Sequence, residues 1–255
     1  MASWYWAFWY ALVFLTRIPA PYLKRVDDEV AQRSLVFYPL VGVIVGVLSA
    51  VFVISCWWYN PAVSPLLLAA LTVAIWTLIT GGLHLDGLAD SADAWVGGLG
   101  DKEKTLEIMK DPRVGPIGAL SIGLLLLIQF AALQILFSPG LPSWQVLTTL
   151  LLIPAMARAS VVGMLATTPY VRAKGLASSL VKGATRLRVF SMLGLIAIAA
   201  VIVFQQKAVL LLLLWLVLNA FFRHAMIKRI GGCTGDTIGA SIALQEALLL
   251  AAFTL

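Results

Sequence analysis

Long apolar stretches alternate with short polar segments along most of this chain. A membrane-spanning helix needs about 20 predominantly apolar residues. Seven stretches reach or approach that length, and they cover roughly residues 35–59, 64–82, 115–137, 144–168, 189–205, 208–223 and 237–255. Helices in a bilayer must satisfy their backbone hydrogen bonds within each segment. The pattern therefore predicts an all-α, polytopic integral membrane bundle of about seven transmembrane helices, in a single domain over residues 1–255.

Three apolar stretches are short for a span. Those near 189–205 and 208–223 fit tilted helices, helices partly buried by their neighbours, or a helical hairpin. The segment from Trp4 to Leu15 follows no basic residue and is rich in aromatic side chains, which prefer the headgroup layer. It is predicted to be an interfacial or re-entrant anchor rather than a cleavable signal.

Composition supports the membrane interpretation. Hydrophobic residues make up 61% of the chain and charged residues only 12%, and the mean hydropathy is +0.97. Because a soluble domain is about a quarter charged, this composition excludes a secreted disulfide scaffold, a disordered tail and a typical nucleic-acid-binding module. Cys56 and Cys233 lie far apart, one in an apolar stretch and one in a polar loop, so no disulfide is expected.

The distribution of positive charge predicts the orientation. The net charge is +6, and 16 of the 18 Lys and Arg residues lie on every second loop. The intervening loops contain only Lys207, and Arg158 falls within a predicted span. Since Lys and Arg favour cytoplasmic loops, every large polar loop is predicted to face the cytoplasm.

Seven of the 12 acidic residues fall between positions 86 and 111. Asp86, Asp90 and Asp93 stand at helical positions i, i+4 and i+7, so they share one face within about 60° of arc. Three neighbouring carboxylates need a positive partner, and Mg²⁺ is a natural one because it takes oxygen ligands and substrate phosphates. The alternative is a solvated acidic loop, which is the better interpretation for Asp101, Glu103 and Glu107.

Two further polar segments are candidates for substrate binding. Lys110 and Arg113 precede a predicted span, where they either hold phosphate oxygens or simply form a positive flank. Residues 231–239 place Thr234 and Asp236 among glycines at the start of the last span. Either residue could cap that helix, and the exposed backbone N–H groups of such a segment could also bind an anion.

Two ionisable residues are predicted within the membrane. Arg158 and Glu246 either pair with each other or line a substrate cavity, and the sequence leaves both alternatives open. Gly42 and Gly46 form a Gly-x-x-x-Gly pattern in the first full span, and this pattern is predicted to permit close helix packing.

Four motifs together resemble the cobalamin synthase family. They are Tyr38–Gly42, Gly81–Asp90, Glu107–Asp111 and Gly232–Thr237, and the resemblance extends over essentially the whole chain. It implies a Mg²⁺-dependent enzyme of the bacterial inner (cytoplasmic) membrane. In the implied reaction, a hydroxyl of α-ribazole or its 5′-phosphate attacks the cobinamide-side phosphorus of adenosylcobinamide-GDP, and GMP leaves.

Roles for the candidate residues follow from the implied reaction. Asp86, Asp90 and Asp93, with Asp236 from the last span, are predicted to hold one or two Mg²⁺. One of these carboxylates or His84 would accept the proton of the attacking hydroxyl, although a structural hydrogen bond is the favoured role for His84. The candidates for phosphate or corrinoid contacts are Lys110, Arg113, Arg33 and Arg158, and Thr234 and Asp236 join them as substrate-binding residues.

Two alternative functions compete with this interpretation. The segment Asp86-Gly87-Leu88-Ala89 also resembles the start of the CDP-alcohol phosphotransferase motif, but Asp90 follows the alanine where that motif has Arg, and Asp93 follows too soon. A secondary transporter would use membrane-edge acids for ion coupling, yet no internal repeat is apparent. The expected partners are the two small-molecule substrates and the lipid bilayer, with no nucleic acid. A homo-oligomer or an association with other cobalamin-pathway proteins is a further expectation.

Overall fold

The computed structural model of the chain describes residues 2–23, 27–172, 180 and 185–255. In these residues the chain forms eleven α-helices, two short 3-10 turns and no strand. The helices are α1 (Ala2–Leu15), α2 (Asp28–Ser34), α3 (Tyr38–Tyr59), α4 (Pro65–Thr80), α5 (Leu83–Gly97), α6 (Lys102–Ile108), α7 (Pro116–Leu136), α8 (Ser143–Thr167), α9 (Arg186–Phe204), α10 (Ala208–Ile230) and α11 (Gly235–Thr254). The all-α class is confirmed.

Several of these helices are long and apolar enough to cross a membrane. By length and composition, the described part of the chain contains five such segments, or up to six if a bent pair counts as one span. The five are Asp28–Tyr59, Pro116–Leu136, Ser143–Thr167, Val189–Ile230 and Gly235–Thr254. The bent pair is α4 with α5, which meet at 88°. A multi-pass membrane bundle is therefore confirmed, whereas the number of seven spans stays a prediction.

The segment Val189–Ile230 is divided at Gln205, where φ is 49°. At the start of α9, Leu193 lies beside Gly163 near the end of α8. At the end of α9, the Phe204 ring lies 5.4 Å from that of Phe253, near the end of α11. At the end of α10, Arg223 donates to the Thr167 carbonyl oxygen at 2.9 Å. Helices α9 and α10 therefore run in opposite directions, as in the predicted helical hairpin.

The core is built around α8, whose middle residues are almost all buried. Helix α3 packs closely along it because Gly42 and Gly46 lack side chains. A Cβ atom at Gly42 would lie 2.5 Å from the Pro154 carbonyl oxygen, and one at Gly46 would collide with the Leu150 carbonyl oxygen. The predicted packing role of this glycine pair is confirmed.

Replacing Gly46 by Ala is expected to destabilise the protein by about 1–3 kcal/mol, the usual cost of overpacking a tight contact. The added Cβ atom would strike the α8 backbone rather than the end of a flexible side chain, so the collision can be relieved only by a shift of one helix against the other. The measurement is the thermal unfolding midpoint in detergent. Gly123→Ala on α7 is the matched control, because a Cβ atom there meets open space. An unchanged midpoint for Gly46→Ala would show that the two helices are not in this close contact.

Candidate functional site

The site begins at the bend between α4 and α5. Gly81 and Gly82 have φ values of 63° and 69°, in the left-handed region that only glycine adopts without strain. The backbone N–H groups of these two glycines donate to the carbonyl oxygens of Leu78 and Thr77 and so close the end of α4. The chain then turns through 88° and enters α5, which carries the three predicted aspartates.

Helix α5 meets the start of α11 at Gly87. A Cβ atom at Gly87 would lie 2.6 Å from the carbonyl oxygen of Asp236, so the absence of a side chain permits this contact. Asp86 and Asp90 flank Gly87 on α5, and the carboxylates of Asp86 and Asp236 both interact electrostatically with that of Asp90. The structure thus brings together Asp86, Asp90 and Asp236, which we term the acidic site.

Asp93 has a different environment from the other two aspartates of α5. Its carboxylate accepts hydrogen bonds from the backbone N–H groups of Gly115, at 2.7 Å, and Gly118, at 2.9 Å. These groups belong to the beginning of α7, where a negative charge is favourable. A Cβ atom at Gly115 would lie 2.5 Å from this carboxylate, so glycine is needed there. Asp93 therefore joins α5 to α7, and its role as a Mg²⁺ ligand stays a prediction.

Arg172 provides positive charge at the acidic site. Its guanidinium lies 2.6 Å from the carboxylate of Asp236. The preceding segment is fixed by two backbone hydrogen bonds, from Val171 N–H to the Cys233 carbonyl at 3.0 Å and from Cys233 N–H to the Pro169 carbonyl at 2.8 Å. The sequence indicated Arg172 only as one of several loop charges, because nothing local signals its contact with Asp236.

Thr234 is the residue that caps α11. Its hydroxyl accepts a hydrogen bond from the Thr237 N–H at 3.2 Å, and its own N–H donates to the Thr237 hydroxyl at 2.9 Å. Thr234 is fully buried. Of the two residues that could cap this helix, Thr234 does so, and Asp236 contributes its carboxylate to the acidic site instead.

The basic candidates in the loop after α6 lie on the surface. Arg113 is 87% exposed and forms a two-pronged ion pair with Asp111, at 2.9 and 2.7 Å. These hydrogen bonds lower the pKa of Asp111 to about 2. Lys110 is exposed in the same turn. Since neither side chain is held against a described residue of the acidic site, their roles in substrate binding remain predictions.

Arg33 and Arg158 form contacts within the fold. Arg33 lies 2.5 Å from Glu29 and over the Trp4 ring, so it attaches α2 to α1. Arg158 is completely buried and lies 2.5 Å from Glu246. Of the two alternatives for this intramembrane pair, mutual pairing is the one observed. Contacts of either arginine with substrate stay predictions.

His84 lies one turn before Gly87, on a buried face of α5. It is 4% exposed, and neither ring nitrogen has a hydrogen-bond partner among the residues that the structure describes. The structural hydrogen bond favoured for His84 is therefore not formed with any of them. Its ring instead borders a cavity of about 370 Å³ that Asp86 and Asp236 also line.

The oxygen donors of the acidic site suit Mg²⁺. Among the described residues, no donor hydrogen-bonds to the carboxylate of Asp86 or Asp90. The described ranges contain no group of three or more His, Cys, Asp or Glu side chains that could hold a metal ion. Mg²⁺ commonly binds through one or two carboxylates and completes its coordination with water and substrate phosphates. The site fits that mode of binding rather than a cage made only of protein ligands.

These features define a multi-pass helical membrane protein whose acidic site joins two helices beside a cavity. The chain matches the model of the family described as cobalamin-5-phosphate synthase over residues 7–254. It belongs to that family, and the resemblance seen in the sequence motifs is confirmed.

Relatives with full-length similarity have one name in common. The chain is 43% identical to the adenosylcobinamide-GDP ribazoletransferase of Pseudomonas fluorescens (strain Pf0-1), over 97% of this chain and 98% of the relative. It is 44% identical to that of Pseudomonas syringae pv. syringae (strain B728a), over 95% and 96% of the two chains. Identity to that of Acinetobacter baumannii (strain ACICU) is 41%, over 96% of each. No solved structure matches the chain.

Proposed function

We propose that this protein is a transferase of cobalamin synthesis that joins adenosylcobinamide-GDP to α-ribazole or its 5′-phosphate. The acceptor hydroxyl oxygen forms a bond to the cobinamide-side phosphorus, the bond from that phosphorus to the bridging oxygen breaks, and GMP leaves. The observation that carries the proposal is the meeting of Asp86, Asp90 and Asp236 at Gly87. It occurs in a chain whose full-length relatives are named as adenosylcobinamide-GDP ribazoletransferases.

The acidic site supplies the charges that such a transfer needs. One or two of the carboxylates of Asp86, Asp90 and Asp236 would hold Mg²⁺ together with substrate phosphates, and Asp93 is the further ligand predicted from the sequence. A bound Mg²⁺ would neutralise negative charge on the diphosphate. Arg172 is bound to Asp236 at 2.6 Å, so it adds a fixed positive charge beside the same oxygens. Positioning of the two substrates would contribute much of the remaining rate acceleration.

A proton acceptor for the attacking hydroxyl is available at the same place. A carboxylate of the acidic site or the ring of His84 could take the proton. His84, Asp86 and Asp236 line the cavity where the acceptor would lie, and Asp90 interacts with both of these aspartates. Exposed Lys110 and Arg113 are proposed to contact the phosphates or corrinoid amides of the donor, and Arg33 and Arg158 remain weaker candidates because the fold already uses their charges.

The proposed location is the bacterial inner membrane, with the acidic site facing the cytoplasm. The support comes from the loop charges, because the basic loops and the start of α11 belong to the same side of the predicted topology. Lys228 and Arg229, for example, immediately precede the polar segment that leads to Asp236. We further propose that the protein associates with itself or with other proteins of the same pathway.

The proposal is tested by adding adenosylcobinamide-GDP, α-ribazole and Mg²⁺ to the purified protein in lipid nanodiscs. We expect equimolar release of GMP and a cobalamin product, with loss of both when EDTA replaces Mg²⁺. Omission of α-ribazole is the control for simple hydrolysis. Release of CMP from a CDP-linked alcohol donor would support the phospholipid-type alternative. Unchanged corrinoid with a well-folded protein would contradict the proposal and favour the transporter.

A further inference from the structure

The 370 Å³ cavity beside the acidic site has a wall of stacked aromatic rings. The rings of Tyr10 and Phe14 are 6.0 Å apart with 10° between their planes, and those of Phe14 and Tyr38 are 6.2 Å apart at 26°. All three residues line the cavity. We term them the aromatic wall. Such a surface favours a flat aromatic group, because parallel rings attract one another and exclude water.

Aliphatic side chains from two other helices complete the apolar part of the cavity. Val161 and Leu165 come from α8, and Ile238 and Ile242 from α11. The cavity thus lies between the N-terminal helix and the central helices of the bundle. A ligand that enters it must place a mostly apolar portion there, since burial of a strongly polar group without partners is unfavourable.

The other end of the cavity is polar. Asp86 and Asp236 of the acidic site line it, and Arg17 is exposed beside them. Arg17 reaches across Gly81, because a Cβ atom at that glycine would collide with the Arg17 side chain. The occupant therefore has one apolar, flat end and one polar end that reaches the place where phosphate chemistry is proposed.

His84 provides a polar contact inside the cavity. It is buried, it lines the cavity, and both its ring nitrogens lack a hydrogen-bond partner in the described part of the chain. A buried polar group without a partner costs free energy. A ligand that carries a ring nitrogen or a hydroxyl group would satisfy it.

The volume of the cavity indicates which of the two substrates it can hold. Small-molecule pockets usually measure about 300–1,000 Å³, so 370 Å³ lies near the lower limit. A bicyclic base with its ribose fits a space of this size, whereas a corrin macrocycle with its amide side chains does not. The cavity is also mainly apolar, which disfavours the many amides of the corrinoid.

We propose that this cavity binds the aromatic base of the acceptor nucleoside, with the base against the aromatic wall and its ribose hydroxyl directed to the acidic site. This inference rests on the proposed function. It assigns a substrate-binding role to α1, which at 14 residues is too short to span a bilayer. The donor, adenosylcobinamide-GDP, then lies outside the cavity and reaches the acidic site from the other side.

The test compares Phe14→Ala with Phe8→Ala. Both phenylalanines are half-buried on α1, but Phe8 packs against Phe37 and does not line the cavity. Loss of a base–aromatic contact costs about 1–3 kcal/mol, so Phe14→Ala is expected to raise the KM for α-ribazole about 5- to 150-fold. The KM for adenosylcobinamide-GDP should stay unchanged, and Phe8→Ala should alter neither. Equal KM values for α-ribazole in wild type and Phe14→Ala would overturn the proposal.

Three further variants, at Phe14 and His84, cover other outcomes. Phe14→Leu keeps an apolar side chain, so it tests the loss of the ring if Phe14→Ala does not fold. His84→Gln can still donate and accept a hydrogen bond, and it should retain a lower KM for α-ribazole than His84→Ala does. An effect of both His84 variants on kcat alone would contradict binding of the acceptor by this residue.

Direct binding separates failure of this inference from failure of the proposed function. When α-ribazole is titrated into the wild-type protein without donor or Mg²⁺, heat of binding should be measurable. The Phe14→Leu variant should bind α-ribazole with lower affinity. If GMP release is observed but binding is insensitive to Phe14, the function stands and the cavity has another occupant, such as a lipid chain. If GMP release is absent but Phe14-dependent binding persists, the nucleoside subsite stands and the transfer reaction is wrong.

Discussion

Replacement of Asp86 by Asn, or of Asp90 by Asn, is expected to lower GMP release from adenosylcobinamide-GDP by at least about a hundredfold. Loss of a single group that stabilises transition-state charge commonly has an effect of this size. Both carboxylates flank Gly87 at the contact with α11 and receive no hydrogen bond from a described residue. Neutral Asn has a similar shape, so insertion and thermal unfolding should change little.

The matched control is Glu103→Gln, because Glu103 is an exposed acid on α6 outside the acidic site. It should keep near wild-type turnover. Asp93→Asn provides a second comparison, since its carboxylate binds the beginning of α7. This variant should lose thermal stability as well as activity. Full turnover in Asp86→Asn and Asp90→Asn would remove both residues from the proposed catalytic machinery.

Replacement of Arg158 by Ala is expected to destabilise the protein by about 3–5 kcal/mol, because it would leave Glu246 buried without its partner. Arg158 is completely buried, 2.5 Å from Glu246, and it also donates to the Pro154 carbonyl oxygen at 3.1 Å. The measurement is the thermal unfolding midpoint in a fixed detergent.

The double variant Arg158→Met with Glu246→Leu tests the cause of that loss. Removal of both charges leaves no unpaired ion, so much of the stability should return. Arg113→Ala, which breaks the exposed pair with Asp111, should alter the midpoint little. If the double variant were as unstable as Arg158→Ala, the damage would come from lost packing volume rather than from an unpaired charge.

Sequence patterns predicted the class of fold because hydropathy reports directly on the solvent around a helix. They also located the polar segments that contain Asp86, Asp90 and Asp236, which the structure brings together. The number of spans was harder to predict. The apolar sequence is interrupted by the bend between α4 and α5 and by the break at Gln205. Both interruptions are changes of backbone direction, which a hydropathy average over many residues does not detect.

Tertiary contacts explain the features that the sequence did not reveal. Asp93 shares a helical face with Asp86, yet the start of α7 binds its carboxylate. Arg172 looks like any other loop cation until the extended segment beside Cys233 places it against Asp236. Tyr10 and Phe14 read as membrane-interface aromatics, and only the packing of α1 shows that they line a cavity.

The contact between α5 and α11 also has a consequence for biosynthesis. Asp236 is translated about 150 residues after Asp86, and the helix that carries it is the last one described. A nascent chain that still lacks α11 therefore carries Asp86 and Asp90 without the third carboxylate of the acidic site and without the helix that packs against Gly87. If the acidic site is catalytic, as proposed, activity is expected only after α11 has docked against Gly87.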